Sequence, residues 1–290
     1  MSLKPRLKSV KVAVLLINFH QEAMTRQCLT TLVKQSRPAD KILVLDNEAT
    51  KDLDLSFFPE VVYYRQRQNL GFARGMNWLM AKAKEFNCQY AVMLNNDTEA
   101  KMDFLEKILK TARHQGANDA LSCVITQKPD PTRIWFAGGQ LIWPWLTRHQ
   151  GLNQKLEQWQ RPPIYQVDWL SGCALGVFLD TWGKVGGFDE GFFTYLEDVD
   201  WCLRLKQHGG RLLVINQPLL THEVSADCLT KMEWQARNSV RLIKKYQRRG
   251  VQFIVWLNAL GQVAIYLGQG RLNLTTTAHF LSIIKESLKR

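Results

Sequence analysis

Between residues 11 and 125, short runs of apolar residues alternate with longer amphipathic stretches, and this alternation restricts the fold more than any other feature of the chain. Lys11 to Asn18 (Lys-Val-Ala-Val-Leu-Leu-Ile-Asn) and Lys41 to Asp46 (Lys-Ile-Leu-Val-Leu-Asp) have strand length and are apolar on both parities between their ends. Such a strand needs cover on both faces, as in a parallel sheet flanked by helices. Val61 to Tyr64, Tyr90 to Leu94 and Ala120 to Ile125 read as further strands. Gln21 to Gln35 carries Cys28, Leu29, Leu32 and Val33 at helical spacing and is broken at Pro38, while Ala73 to Phe86 and Met102 to His114 read as two more helices. The expected fold is therefore α/β, with a doubly wound, mostly parallel sheet.

That fold binds ligands at the carboxyl ends of its strands. Those ends are Asn18-Phe19-His20, Asp46-Asn47-Glu48 and Asn95-Asn96-Asp97. Each alone is ordinary turn chemistry; together at one edge they point to a site. Asn69-Leu-Gly-Phe-Ala-Arg-Gly-Met-Asn77 runs from a strand into a helix. Gly71 and Gly75 permit close approach there, the helix start favours an anion, and Arg74 can meet a phosphate or a base. The glycine pattern of dinucleotide folds is missing, which argues against nicotinamide chemistry. Asp97 can ligate Mg²⁺ or Mn²⁺, hard ions that bridge phosphates. His222, expected just after a strand at Arg211 to Ile215, is a candidate further ligand, although a lone histidine is more often structural.

From Arg133 to Asp168 the alternation fades into a region rich in tryptophan, glycine and proline, and Trp169 to Asp180 is a small-residue turn entering an apolar strand. Gly186 to Gly210 then concentrates Glu197, Asp198 and Asp200 at the start of a helix. Acids at that position complement the macrodipole. They also suit a general base.

The charge is uneven. Of the formal +12, the stretch Arg204 to Arg290 carries fourteen Lys/Arg less four Asp/Glu, or +10. A nucleic-acid binder would more often place that charge on its recognition domain, so a basic tail facing an anionic surface is the better reading. Arg241, Lys244, Lys245, Arg248 and Arg249 form one helical stripe, and Val251 to Gly270 is free of charge. That combination predicts a helical tail lying on an anionic membrane surface; the other reading is a helical pair packed on the domain or in a homodimer. The six cysteines form no Cys-x-x-Cys pair, and the N-terminus lacks the apolar core of a signal peptide. Together these predict a cytoplasmic protein, peripheral on the inner face of the cell membrane. The expected division is a domain over 1–228, with halves at about 10–130 and 131–228, and a basic tail over 229–290.

Ile17-Asn18-Phe19, Val44-Leu45-Asp46-Asn47, the Asn69 to Asn77 segment, Leu94-Asn95-Asn96-Asp97-Thr98, Gly187-Phe188-Asp189-Glu190, Phe193-x-Tyr195-x-Glu197-Asp198-Val199-Asp200 and a late His222 occur in this order. In them the chain resembles the family 2 inverting glycosyltransferases of the GT-A fold, close to the rhamnosyltransferase-like branch, over roughly residues 10 to 225. The resemblance implies a nucleotide-sugar-binding half, a small mixed acceptor-side region and metal-dependent transfer from a dTDP- or UDP-sugar to a glycan or lipid-linked acceptor. It implies that Asp46 meets the base, with Asn18, Asn69, Gly71, Arg74, Asn95 and Asn96 around the donor nucleotide. Asp97 and His222 would hold the metal, with Asn95 standing where the family's first metal-motif acid is. Asp198 would be the base, its proton affinity raised by Glu197 and Asp200. Trp169, Ser171, Gly172, Cys173, Phe193, Tyr195, Glu197 and Asp200 would border donor sugar and acceptor. Two alternatives stand beside this: a sugar-phosphate nucleotidyltransferase, and a non-catalytic sugar-nucleotide-binding scaffold.

Overall fold

The computed structural model describes residues 10–223, 229–247, 250–268 and 274–289. In chain order come β1 (Val12–Asn18), α1 (Glu22–Leu32), β2 (Lys41–Asp46), β3 (Val61–Arg65), α2 (Gly71–Glu85), β4 (Tyr90–Asn95), β5 (Thr98–Ala100), α3 (Phe104–His114) and β6 (Ala120–Lys128). Short strands follow: β7 (Ile134–Phe136), β8 (Gly139–Ile142), β9 (Leu146–His149) and β10 (Ile164–Gln166). Then come β11 (Ala174–Phe178), α4 (Leu179–Val185), α5 (Glu197–Gln207) and β12 (Leu212–Glu223), and the tail forms α6 (Leu229–Tyr246), α7 (Val251–Gly268) and α8 (Leu274–Lys289).

The main sheet runs β10-β12-β6-β11-β4-β1-β2-β3. β4, β1, β2 and β3 are parallel, and both parities of β1 are buried along most of its length, as its apolar sequence requires. The chain moves from β1 outward through β2 to β3, then returns to β4 on the other side of β1. Beside β1 the strand order therefore reverses, which opens a crevice at the carboxyl ends. The register brings the polar ends level there: Asn18 pairs with Asp46, and Ile17 with Asn95. Across β4, β11 runs antiparallel and joins this block to the parallel pair β6 and β12.

β12 departs from expectation. Instead of ending at Ile215 it continues to Glu223, with register shifts around Pro218. Asn-Gln-Pro reads as a loop in sequence, but proline lacks only its own N–H, and the sheet takes up the irregularity as bulges. His222 thus lies within the strand rather than after it. There it pairs with Thr98 of β5, next to Asp97.

The tail also differs from a surface stripe. Ala236, Val240 and Ile243 of α6 pack with Val255 and Ala259 of α7 and Phe280, Ile283 and Ile284 of α8 in a small core of their own. Arg241 and Lys245 pair with Asp189 at 3.2 and 2.9 Å, and Lys245 also reaches Asp200 at 2.7 Å. Lys244 donates to the carbonyls of Ser287 and Leu288 at the end of α8, both at 3.0 Å. These three cations serve contacts within the chain, because Asp189 and Asp200 lie under the face that α6 presents. Arg248 and Arg249 lie outside the described residues, as do the last two residues of the uncharged run. α7 is long and apolar enough to cross a membrane by length and composition. It buries Asn258 against the Pro144 carbonyl and leaves Phe253, Trp256, Leu260 and Leu267 exposed.

Candidate active site

The crevice beside β1 is a cleft in two connected parts, of about 450 and 340 Å³, which meet at Asn95, Asp97, Tyr195 and Lys231. Its first part opens over the strand ends. Asn18 donates to Asp46 Oδ1 at 2.7 Å and accepts from the Thr25 hydroxyl at 2.8 Å, while Tyr63 donates to Asp46 Oδ2 at 2.9 Å. Asn96 donates to the Thr25 hydroxyl at 2.9 Å. Asn18 and Asp46 are buried and satisfied by this network, and neither lines the cleft. In the structure Asp46 meets Asn18 and Tyr63 inside the protein.

The next residue faces the cleft instead. Asn47 donates to Asn69 Oδ1 at 2.9 Å and accepts from the Leu70 N–H at 2.9 Å, and both asparagines line the first part. Asn69 Oδ1 also accepts from the Gly71 N–H at 2.8 Å. Gly71 has φ +73°, and a Cβ there would come within 2.5 Å of the Phe193 ring, so two separate constraints demand glycine. Arg74 does not reach the cleft. It is exposed, with its guanidinium 3.8 Å from Glu190. One helical residue lies on one face, and the face carrying Ala73 and Met76 is the one buried on the sheet.

At the junction of the two parts, His222 Nε2 lies 3.3 Å from Asp97 Oδ1. No hydrogen bond satisfies Asp97 Oδ1 or His222 Nδ1, although both atoms are buried. Burial lowers the His222 pKa to about 3 and raises that of Asp97 to about 6. A neutral imidazole can turn the lone pair of Nε2 toward the same point as Asp97 Oδ1, which has no hydrogen-bond donor, and that pairing suits a divalent ion. Trp135 stacks on His222 at 4.0 Å and fixes the ring plane. Among the described residues no three His, Cys, Asp or Glu side chains converge on one point, in keeping with Asn95 in place of a second acid.

The second part of the cleft holds Asp198 at the first turn of α5. Its Oδ2 accepts from the Gly172 N–H at 2.9 Å and its Oδ1 from the Val199 N–H at 2.8 Å. Burial raises its pKa to about 6 against the pull of these donors. Glu197 is more deeply buried, and desolvation together with the Asp198 charge raises its pKa well above the ordinary range; its Oε2 has no partner. Burial and mutual repulsion thus disfavour a negative charge on both carboxyls at once.

Asp200 has another task. It is fully buried, bonded to Arg204 at 3.0 Å, Lys245 at 2.7 Å and the Tyr246 hydroxyl at 2.9 Å, and it does not line the cleft. Its charge is neutralised there, so the proton affinity of Asp198 comes from burial rather than from repulsion by Asp200. Trp169, Ser171, Gly172 and Cys173 line the second part as expected, although Trp169 is mostly core and sits tightly on Gly139. Phe193 and Tyr195 line the first part, and Tyr195 reaches both.

The loop before Asp198 is strained. Phe193, Tyr195 and Leu196 have φ of 57°, 66° and 69°. Such conformations persist only where the surroundings enforce them. Asn238 of α6 does so, with its amide nitrogen 2.8, 2.7 and 2.7 Å from the carbonyls of Phe192, Thr194 and Tyr195. Trp234 of α6 stacks on Phe193 at 4.9 Å. The sequence reading missed Trp135, His149, Lys231 and Trp234, all of which line the cleft. The tryptophans carried a signal as part of an aromatic-rich chain, but Lys231 carried none.

Residues 13–168 match the family model described as Glycosyl transferase family 2, which is just over half of the chain. The chain is 27% identical over 196 residues to the N-acetylglucosaminyl-diphospho-decaprenol L-rhamnosyltransferase of Mycobacterium tuberculosis, covering 58% of this chain and 61% of that protein. It is 48% identical to Rhamnosyltransferase WbbL of Escherichia coli over 46 residues, 16% of this chain and 17% of that one. The chain thus spans about three-fifths of the length of the mycobacterial relative. Among solved structures, GalNAc-T7 with UDP, GalNAc and Mn²⁺ superposes with a TM-score of 0.61 at 15% identity, covering 75% of this chain and 44% of that one. S. aureus TarS 1-349 in complex with UDP superposes with 0.55 at 14% identity, covering 96% and 71%. These likenesses show a shared GT-A fold. With the family model matching from β1 through the strand ends that line the cleft, the chain belongs to glycosyl transferase family 2.

Proposed function

We propose that this chain transfers a sugar from a nucleotide diphosphate sugar to a glycan or lipid-linked acceptor, inverting the anomeric carbon. The observation that carries this reading is Asp198, a desolvated carboxylate facing the same cleft as the Asp97–His222 pair, in which Asp97 Oδ1 is buried without a hydrogen bond. A direct displacement needs a base for the acceptor hydroxyl on one side and neutralised charge on the departing diphosphate on the other.

Asp97 and His222 would hold the ion, Mg²⁺ or Mn²⁺, with donor oxygens and water completing a shell that the protein alone leaves short. When bound, it supplies positive charge to the diphosphate. Asp198 accepts the acceptor's proton, held in place by the Gly172 N–H. Burial and the Asp198 charge favour the protonated form of Glu197, so that Asp198 is the carboxyl that ionises first. Trp169, Phe193 and Tyr195 exclude water around the reacting atoms.

Two relatives named as rhamnosyltransferases support rhamnose as the sugar, and dTDP-rhamnose is the donor the family resemblance implies. The mycobacterial name supports a polyprenyl diphosphate acceptor, which resides in a membrane. The exposed apolar face of α7 then supplies a membrane contact, in place of the basic stripe. The test is transfer from dTDP-rhamnose to an N-acetylglucosaminyl-diphospho-polyprenol in anionic vesicles. Turnover lost to chelation and restored by Mg²⁺ or Mn²⁺, with co-flotation on the vesicles, is expected. Transfer unaffected by chelator would refute the metal, and no transfer from any dTDP- or UDP-sugar would refute the activity.

A further inference from the structure

The leaving diphosphate poses a problem of charge. It carries about two negative charges in the donor and gains another as the glycosidic bond breaks. It must do so beside Asp97 and the Glu197–Asp198 pair, at an ion site holding one acid fewer because Asn95 replaces a carboxylate. Arg74, the cation expected to help, lies outside the cleft.

One Lys or Arg among the described residues lines the cleft, and it lines both parts: Lys231, in the first turn of α6. Its ammonium is 6.0 Å from the centre of the Tyr195 ring. It borders the first part together with Asp97, and the second together with Asp97 and His222. Helix N-termini carry backbone N–H groups without intrahelical acceptors, so the start of α6 adds to the same preference for an anion. The helix is anchored to the catalytic loop through Asn238 and to Asp200 through Lys245.

We infer that Lys231 binds the diphosphate of the donor opposite Asp97 and His222, so that the tail completes the active site rather than merely following it. The inference rests on the proposed use of a nucleotide sugar. It assigns α6 to the donor site and leaves the exposed apolar face of α7 for surface contact.

Calorimetric titration of dTDP and dTMP, and of UDP and UMP, into wild type, Lys231→Met and Lys231→Arg with saturating Mg²⁺ tests it. Charge-assisted hydrogen bonds of this kind correspond to roughly 10- to 100-fold in affinity. Lys231→Met is expected to weaken the preferred diphosphate by about that factor and the monophosphate much less, collapsing the preference between them, while Lys231→Arg restores most of it. An unchanged preference in Lys231→Met overturns the inference. So does an equal loss for both nucleotides, the signature of a residue that only shapes the cleft. A wild type that binds neither diphosphate overturns the proposed activity, and this inference with it.

Discussion

Two regions bordering the cleft, the ends of β1 and β2 and the junction of β12 with α5, differ in how their polar groups are satisfied. Over β1 and β2, Asn18, Thr25, Asp46, Tyr63 and Asn96 bond to one another within a buried network. Around β12 and α5, Asp97 Oδ1, His222 Nδ1 and Glu197 Oε2 are buried without partners, and three residues in the loop between Phe193 and Leu196 have positive φ. Unmade hydrogen bonds and strained backbone both cost stability. The unmade hydrogen bonds of Asp97, Glu197 and His222 mark where stability has been given up for chemistry, whereas the satisfied network marks scaffolding. The same acid-and-amide vocabulary thus serves opposite ends a few residues apart in space, and Asp200 beside Asp198 repeats the contrast within a single helix turn.

Substitutions on the two sides should therefore fail differently. The largest effect is expected at Asp198. Asp198→Asn keeps the shape but removes the base, and should lower kcat by about 10³-fold while nucleotide affinity stays within about twofold; steady-state kinetics beside calorimetry check both. The same group sets the pH dependence. Because its pKa is raised to about 6 and the ionised form is the active one, kcat/KM should be level above that pH. Below it the rate should fall by about tenfold per pH unit. A level profile through pH 5 would mean that Asp198 is not the base.

The smaller effect is expected in the network. Asn18→Ala removes the donor to the buried Asp46 Oδ1, and should destabilise the fold by about 1–3 kcal/mol with modest loss of nucleotide affinity. Urea unfolding beside calorimetry measures it. Full stability with lost nucleotide binding would reverse the contrast and put Asn18 back in contact with the donor.

What the sequence disclosed follows the same line. β1, β2 and β4 were legible because strands buried on both faces leave no room for polar residues, and the switch point follows from their order. Which polar residue at a strand end turns into the cleft was not legible: Asp46 and Asn47 are adjacent, and only the fold shows that Asn18 and Tyr63 consume the first. The acids at α5 were visible as a cluster, but their separation into Asp198, Glu197 and Asp200 depends on Arg204, Lys245 and Gly172, which arrive from other elements. A helical wheel identified the basic face of α6 without saying what it meets. Arg241 and Lys245 turned out to meet Asp189. Lys231 lies far along the chain from the ends of β2 and β4 that it faces, and no local pattern links them.

The central claim is a single displacement on a sugar donor, driven from Asp198 across the cleft from Asp97 and His222. Proton NMR of the product bond tests it most directly. The account predicts a glycoside of anomeric configuration opposite to that of the donor; a product with the donor's configuration retained would contradict it.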